Sequence, residues 1–274
     1  MEESIITSTQ NAKVKHVVAL QQKSAQRRKE GLFVVEGRRE LMHCVEAGYE
    51  IAECFVLDKL ADLADLADLA PLGSLESLGS LVSLVSPQVY EKMAYRGSTE
   101  GVIAVVRERQ RSLEDLQLCA APLIMVLERV EKPGNLGAVL RSADAAKADA
   151  VIICDPLTDL YNPNLIRSSI GAIFSVPCVA CSSEACITFL KAHGIQILTA
   201  QLQDSSLYYD TDMLGGTAIV MGTESTGLTD VWRQAADAHI RIPMLGQLDS
   251  LNVSVSAAIL LFEAVRQRQS VKPE

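Results

Sequence analysis

An α/β fold in two parts is predicted, with a small N-terminal unit and a larger domain on a mostly parallel sheet. Three observations predict it. Apolar runs of strand length alternate with helix-spaced segments through the C-terminal half. Strand–helix–strand order recurs on a smaller scale within residues 1–106. A charged stretch at 107–117, without sustained strand patterning, separates the two. The 274 residues suffice for one large domain or two ordinary ones. With 49% hydrophobic and 22% charged residues, the composition is that of a soluble globular protein. No stretch is long and apolar enough to span a bilayer, so no membrane association is expected. Met1-Glu2-Glu3-Ser4 is not a signal peptide, which makes the cytoplasm the expected compartment.

In the first part, residues 8–29 read as one helix that Ser8 or Thr9 can cap. Val14, Val17, Val18 and Leu20 form its apolar side, and Gly31 ends it. A short buried strand follows at 32–35, then a helix at 38–47 stopped by Gly48, then a strand at 51–57. This order implies a parallel pair of strands. Leucine then recurs at every third position from Leu60 to Leu84, with spacers that change at Pro71. A period of three slips by about 60° per step around a helix, so it holds no long apolar stripe. The reading is a helix before Pro71, a loose connection and a strand near 81–85, within a low-complexity insertion that has no chemical role. A short helix at 87–93 and a strand at 101–106 complete this part.

The second part has strand patterns at 123–127, 150–154, 175–179, 196–199, 217–221 and 239–242. Helical patterns lie near 135–147, 164–170, 184–193 and 231–236. Such alternation predicts a sheet covered on both faces. Pro243 cannot donate to a ladder, so the last strand stops there. A polar loop containing Gly246 follows, and a helix that Ser250 or Asn252 can cap runs to Gln269. A loop between a strand end and a helix N-terminus is where α/β sheets commonly bind ligands.

Seven cysteines, an odd number, point to reduced thiols rather than a disulfide framework. Cys178 and Cys181 form one C-x-x-C with Cys186 nearby. No second pair or close histidine completes four ligands, so no metal is expected and Cys178 is read as a strand residue. The formal charge of −9 opposes phosphate binding overall. Basic residues nevertheless gather in 1–29, where Lys13, Arg27, Arg28 and Lys29 are candidate RNA contacts. A solvated helix surface explains them equally well.

Three stretches carry a more specific signal: Gly134-Asn135-Leu136-Gly137-Ala138-Val139-Leu140-Arg141; Val220-Met221-Gly222-Thr223-Glu224-Ser225-Thr226-Gly227-Leu228; and Ile242-Pro243 with Ser250-Leu251-Asn252-Val253. In this order and spacing they resemble the three motifs of the SpoU/TrmH family, in the knotted SPOUT superfamily. Its members are S-adenosylmethionine-dependent RNA 2′-O-ribose methyltransferases. The resemblance implies a trefoil-knotted domain at 120–274, a linker at 107–119 and S-adenosyl-L-methionine as cofactor. It also implies a homodimer through the C-terminal domain. Residues 1–106 look like the ribosomal-protein-like α/β domain that many members use to recognise RNA. That layout makes ribosomal RNA the expected substrate, with transfer RNA, or a non-catalytic RNA-binding or assembly role, as alternatives.

Carried over by motif, Gly222, Ile242 and Leu251 match the positions that hold the cofactor, with Met244 and Leu245 lining the same pocket. A strand-end glycine also lets a ligand approach the backbone. The chain lacks the Gly-x-Gly-x-x-Gly fingerprint of a dinucleotide fold. Asn135, Arg141, Glu224, Ser250 and Asn252 match the catalytic motif positions. Family proposals make the arginine a base. A guanidinium is essentially always protonated, so a phosphate clamp that polarises the hydroxyl is the physically better role. Asn135 and Glu224 are expected to hold the motif loops and ribose, and Ser250 and Asn252 to orient Arg141 or the phosphate.

Overall fold

The computed structural model describes residues 5–58, 81–95, 100–223 and 226–270. The helix expected before Pro71 lies outside the described residues. Two compact units are present: Met1–Gln110 with Asp159–Ser175, and Arg111–Thr158 with Val176–Glu274. The segment Asp159–Ser175 therefore belongs to the first unit although it lies within the sequence range of the second. Among the described residues no helix is long and apolar enough to cross a membrane.

The first unit begins with α1 (Ala12–Gln22) and α2 (Ser24–Glu30) rather than one helix. Asn11 is the N-cap, its side chain accepting from the Lys13 N–H at 2.8 Å, in place of Ser8 or Thr9. The helix breaks at Lys23, which is extended. That break turns Arg27 inward. Its guanidinium donates through Nε to Asp159 at 2.6 Å and through Nη1 to the carbonyls of Leu20 and Gln21, in the last turn of α1. Arg27 thus satisfies helix-end carbonyls that would otherwise be orphaned.

Strands β1 (Leu32–Glu36), β2 (Ile51–Leu57), β3 (Val82–Val85) and β4 (Val102–Arg107) form a sheet in the order β1-β4-β2-β3. The helices α3 (Arg38–Glu46) and α4 (Pro87–Met93) complete this part. The expected parallel pairing of the first two strands is not what forms. β4 lies between them, antiparallel to both, and the parallel pair is β2 with β3. The physical reason is burial: Val102 to Val106 are all buried, and a strand apolar on both faces belongs in the interior of a sheet. Val14, Val17 and Leu20 from α1 pack with Phe55, Met93 and Ile103 in this core. On the other face of the sheet, the segment that holds the helices α6 (Pro163–Ser169) and α7 (Ala172–Ser175) supplies an aromatic group. Phe33 stacks on Tyr161 with centroids 4.3 Å apart and planes 19° apart, and Phe174 closes on Tyr49.

The second unit holds β5 (Leu123–Glu128), β6 (Ala150–Cys154), β7 (Cys178–Cys181), β8 (Gln196–Ala200), β9 (Ser206–Leu207), β10 (Thr217–Met221) and β11 (Ala238–Arg241). Their order is β7-β6-β5-β10-β8-β11-β9, and every pairing is parallel. The strand expected at 175–179 starts at Cys178 instead, because Ser175 ends α7 and Pro177 has no N–H to donate. The helices are α5 (Pro133–Ala145), α8 (Ser183–Ala192), α9 (Asp230–Ala235) and α10 (Val253–Ser270).

α10 packs against α5 and is fixed at its C-terminal end. Arg268 donates to the carbonyls of Ala121, Pro122, Met213 and Gly215, beside the starts of β5 and β10. Eighteen residues of helix extend ~27 Å, enough to carry the opposite end of α10 across the sheet.

Arg27→Ala would leave Asp159, only 15% exposed, without its cation. The expected loss is about 3 kcal/mol in urea unfolding, the lower end for breaking a buried pair. A loss below about 0.5 kcal/mol, the level of an ordinary surface change, would show that Arg27 is not a structural brace.

Candidate functional site

In a wholly parallel sheet all strands deliver their carboxyl ends to one edge, and the site assembles there. β5 and β10 are neighbours at the centre of the sheet. The chain leaves β5 for α5 and leaves β10 for the Gly222 loop. α10 starts close by, because Asn252 donates through Nδ2 to Asn135 Oδ1 at 3.1 Å, linking residues 117 apart in sequence. Asn252 also caps α10, its Oδ1 accepting from the Ser254 N–H at 2.9 Å and the Ser254 hydroxyl at 2.6 Å. The N-terminal ends of α5 and α10 therefore meet, and with them the positive ends of two helix dipoles.

A cleft of about 390 Å³ opens beside this junction, within the range typical of small-molecule sites. Gly222, Ile242, Met244, Ser250 and Leu251 all line it, joined by Met221 and Leu260. A smaller cleft of about 190 Å³ shares Gly222, Thr223 and Val253 with the first and reaches Asn135 and Lys132. Residues singled out on three separated stretches are thus brought together around one loop. Arg141 is exposed on α5 and is not among the described residues lining either cleft. Leu245 is 95% exposed and likewise lines neither, so its expected place in the pocket wall is corrected: its side chain projects from the loop into solvent. Glu224 lies outside the described residues.

The fold itself also requires glycine at 222. A Cβ there would stand 2.3 Å from the Gly227 backbone and 2.6 Å from the Leu228 nitrogen. The loop closes on itself at that point, with Thr223 bridging Gly227 and the Thr226 N–H donating to Thr223 Oγ1 at 3.0 Å. The loop's own backbone fills the space, whatever ligand lies beyond.

Several contributors were not found in the sequence. Arg233 and Arg241 place two cations on the larger cleft, with Asp249 beside them. Glu128, 1% exposed at the end of β5, accepts from the Thr229 N–H at 2.9 Å and the Thr229 hydroxyl at 2.6 Å. It holds the far end of the Gly222 loop at the start of α9. A carboxylate closing the apolar run Leu123-Ile124-Met125-Val126-Leu127 was the available signal for it.

Of the proposed RNA contacts in the first unit, Lys13, Arg28 and Lys29 are exposed. Arg27 is corrected. At 4% exposure, with its donors committed to Asp159 and α1, it cannot reach a phosphate.

Comparison with known proteins gives the family of the chain. Residues 122–262 match the family described as "SpoU rRNA Methylase family", and residues 11–104 match the "MRM3-like substrate binding domain". A Bacillus subtilis 23S rRNA guanosine 2′-O-methyltransferase is 34% identical over 53% of the chain and 59% of that relative, so the chain spans about three fifths of its length. A crystal structure titled as an RNA 2′-O ribose methyltransferase superposes with a TM-score of 0.82 at 38% identity, covering 97% of this chain and 100% of that one. The AdoMet-bound rRNA methyltransferase of Sinorhizobium meliloti superposes with a TM-score of 0.86 at 27% identity, covering 98% and 99%.

Asn252→Ala is expected to cost about 1 kcal/mol in chemical denaturation, the usual value of a lost helix cap. Asn252→Asp keeps the acceptor but not the Nδ2 donor, and should recover most of that loss. If the aspartate variant is as unstable as the alanine one, the bond to Asn135 outweighs the cap.

Proposed function

This chain belongs to the SpoU rRNA methylase family, and from that premise we propose that it methylates ribose 2′-hydroxyls of RNA. The methyl donor is S-adenosyl-L-methionine and the substrate class is ribosomal RNA. The observation that carries the reading is the convergence of Gly222, Ile242, Met244, Ser250 and Leu251 on one cleft. The cleft suits a nucleoside with an amino-acid tail. Ile242, Met244 and Leu251 offer an apolar wall for a purine, and the strand-end loop offers backbone groups. When bound there, the cofactor supplies a methyl on a sulfonium, and the protein's task is mainly to position it.

Around that cleft the chain's own residues have separable tasks. Asn252 and Asn135 hold two helix N-termini together, and Glu128 fixes the end of the loop. Arg141, exposed on α5, is the residue for the RNA phosphate. Its planar pair of donors would clamp that group and stabilise negative charge developing on O2′. The proton passes to the phosphate or to water, since arginine cannot accept it. Ser250 lies at the cleft mouth, where it can orient the phosphate, and Glu224 is kept as a loop-holding residue. Lys13, Arg28 and Lys29 give an otherwise acidic chain a local basic surface for RNA.

The homodimer through the C-terminal domain is part of the same reading. Leu248, Leu251, Val255 and Phe262 are exposed apolar side chains on α10 and the loop before it, and they support such a seam. The trefoil knot implied by the resemblance also belongs to the reading, supported by the chain's return to place β10 between β5 and β8.

Phe262→Asp should convert a dimer to a monomer in sedimentation velocity, and a parental profile would move the seam elsewhere. Arg141→Ala should bind S-adenosyl-L-methionine as the parent does in calorimetry but lose methyl transfer to ribosomal RNA by roughly 100-fold or more, the scale of one charge-stabilising donor. Transfer at the parental rate would remove Arg141 from the mechanism. Absence of cofactor binding in the parent would overturn the whole reading.

A further inference from the structure

Away from the cleft, the structure assigns Cys154, Cys181 and Cys186 to a binding site for a thiophilic d10 cation, Zn(II) or Cu(I). The three Sγ atoms lie within 4.8 Å of one another, and they come from three different elements. Cys154 is the last residue of β6, Cys181 the last of β7, and Cys186 sits in the first turn of α8. β6 and β7 are parallel, with Cys154 directly opposite Cys181 in the register, so both side chains leave the same face of the sheet.

The distances suit an ion better than a disulfide. Three thiolates bound at ~2.3 Å to one ion stand roughly 3.8–4.0 Å apart, a spacing these sulfurs can reach with small side-chain movements. A disulfide would join two sulfurs at about 2.05 Å and strand the third. Soft thiolates select d10 cations over Mg(II) or Ca(II).

The cluster is also built in advance. The Asp155 N–H donates to the Cys181 carbonyl at 2.9 Å, and the Asp155 carboxylate accepts from the Ser183 hydroxyl at 2.6 Å. Ser183 in turn accepts from Trp232 Nε1 at 3.0 Å. This chain of hydrogen bonds locks the end of β6 to the start of α8 without help from a metal. Cys181 is half-buried while its two partners are buried, which leaves one side for entry and for an exogenous fourth ligand. Binding would replace three S–H protons, released to solvent, with three metal–sulfur bonds.

The C-x-x-C visible in the sequence is not the ligand pair. Cys178 and Cys181 are three apart on one strand, so they face opposite sides of the sheet. Cys178 is sealed in the interior, where burial pushes its thiol up to about 12. The missing ligand is Cys154, supplied by the neighbouring strand.

The full-length protein, purified under reductant without air, can be titrated with Cd(II) as an absorbing stand-in for Zn(II), and separately with Cu(I). The expected result is a thiolate charge-transfer band saturating at one ion per chain. Peptide mapping after alkylation should show half-buried Cys181 reactive in the ion-free protein and protected at saturation, while exposed Cys119 stays reactive throughout. Cys154→Ser/Cys186→Ser should lose the band while Cys178→Ser keeps it, with circular dichroism confirming each fold. If the double variant does not fold, the protection pattern in the parent decides. The assignment is overturned by a band that survives in the folded double variant, by no saturable uptake of either ion, or by a Cys181 that still reacts at saturation.

Discussion

The parallel direction of seven strands is the constraint on which the second unit depends. It sends every strand exit to one edge, and the helices that follow begin there, with the positive ends of their dipoles. Placing β10 between β5 and β8 brings two such exits side by side at the centre of the sheet, where the strand order changes. The junction is then held from both directions. Asn252 and Asn135 tie the helix starts together at the carboxyl edge, and Arg268 ties the far end of α10 to four carbonyls near the opposite edge. A clamp at each end leaves the cleft wall between them little freedom to shift. The stretch from Gly246 to Asn252 remains exposed. The site therefore combines a rigid floor with an open rim.

Most of this arrangement was legible because it follows from local rules. Ser250 and Asn252 both read as caps from their places before an apolar helix, and Asn252 is the one that caps it. The run Thr217-Ala218-Ile219-Val220-Met221 reads as a buried strand, and all five residues are buried. What the sequence hid depends on pairing across distance. β4 is one of two interior strands of the first sheet, and its buried run does not say which strands flank it, because β1 and β2 also bury apolar residues on both faces. Leu245 shows the opposite error, since an apolar residue beside a pocket was read as lining it when the loop turns it outward.

Arg27 shows why charge runs are poor guides to residue roles. It sits beside Arg28 and Lys29, and the three look alike in sequence. Lys23 breaks the helical register, after which one of the three points inward and the other two stay exposed. The buried member meets a carboxylate and helix-end carbonyls, a task that suits the fixed fork of a guanidinium. The exposed members lie in the last turn of α2, where cations are favoured by the helix dipole. A chain with a formal charge of −9 can keep such a patch effective. At physiological salt the field of each charge fades over ~8 Å, so a phosphate at the patch responds to it and not to the net charge.

The same distinction between local and cross-strand information separates the two cysteine readings. A motif scan pairs residues by spacing along the chain, and along a strand odd spacings put side chains on opposite faces. In a parallel sheet, however, register sets residues of neighbouring strands side by side whatever their separation in sequence. Cys154 and Cys181 are 27 positions apart and opposite one another, as Asn135 and Asn252 are 117 apart and bonded. Both constellations lie at the carboxyl edge, because strand ends and helix starts meet only there. That edge can therefore hold more than one site: a central one where the strand order changes, and an outer one where β6, β7 and α8 meet.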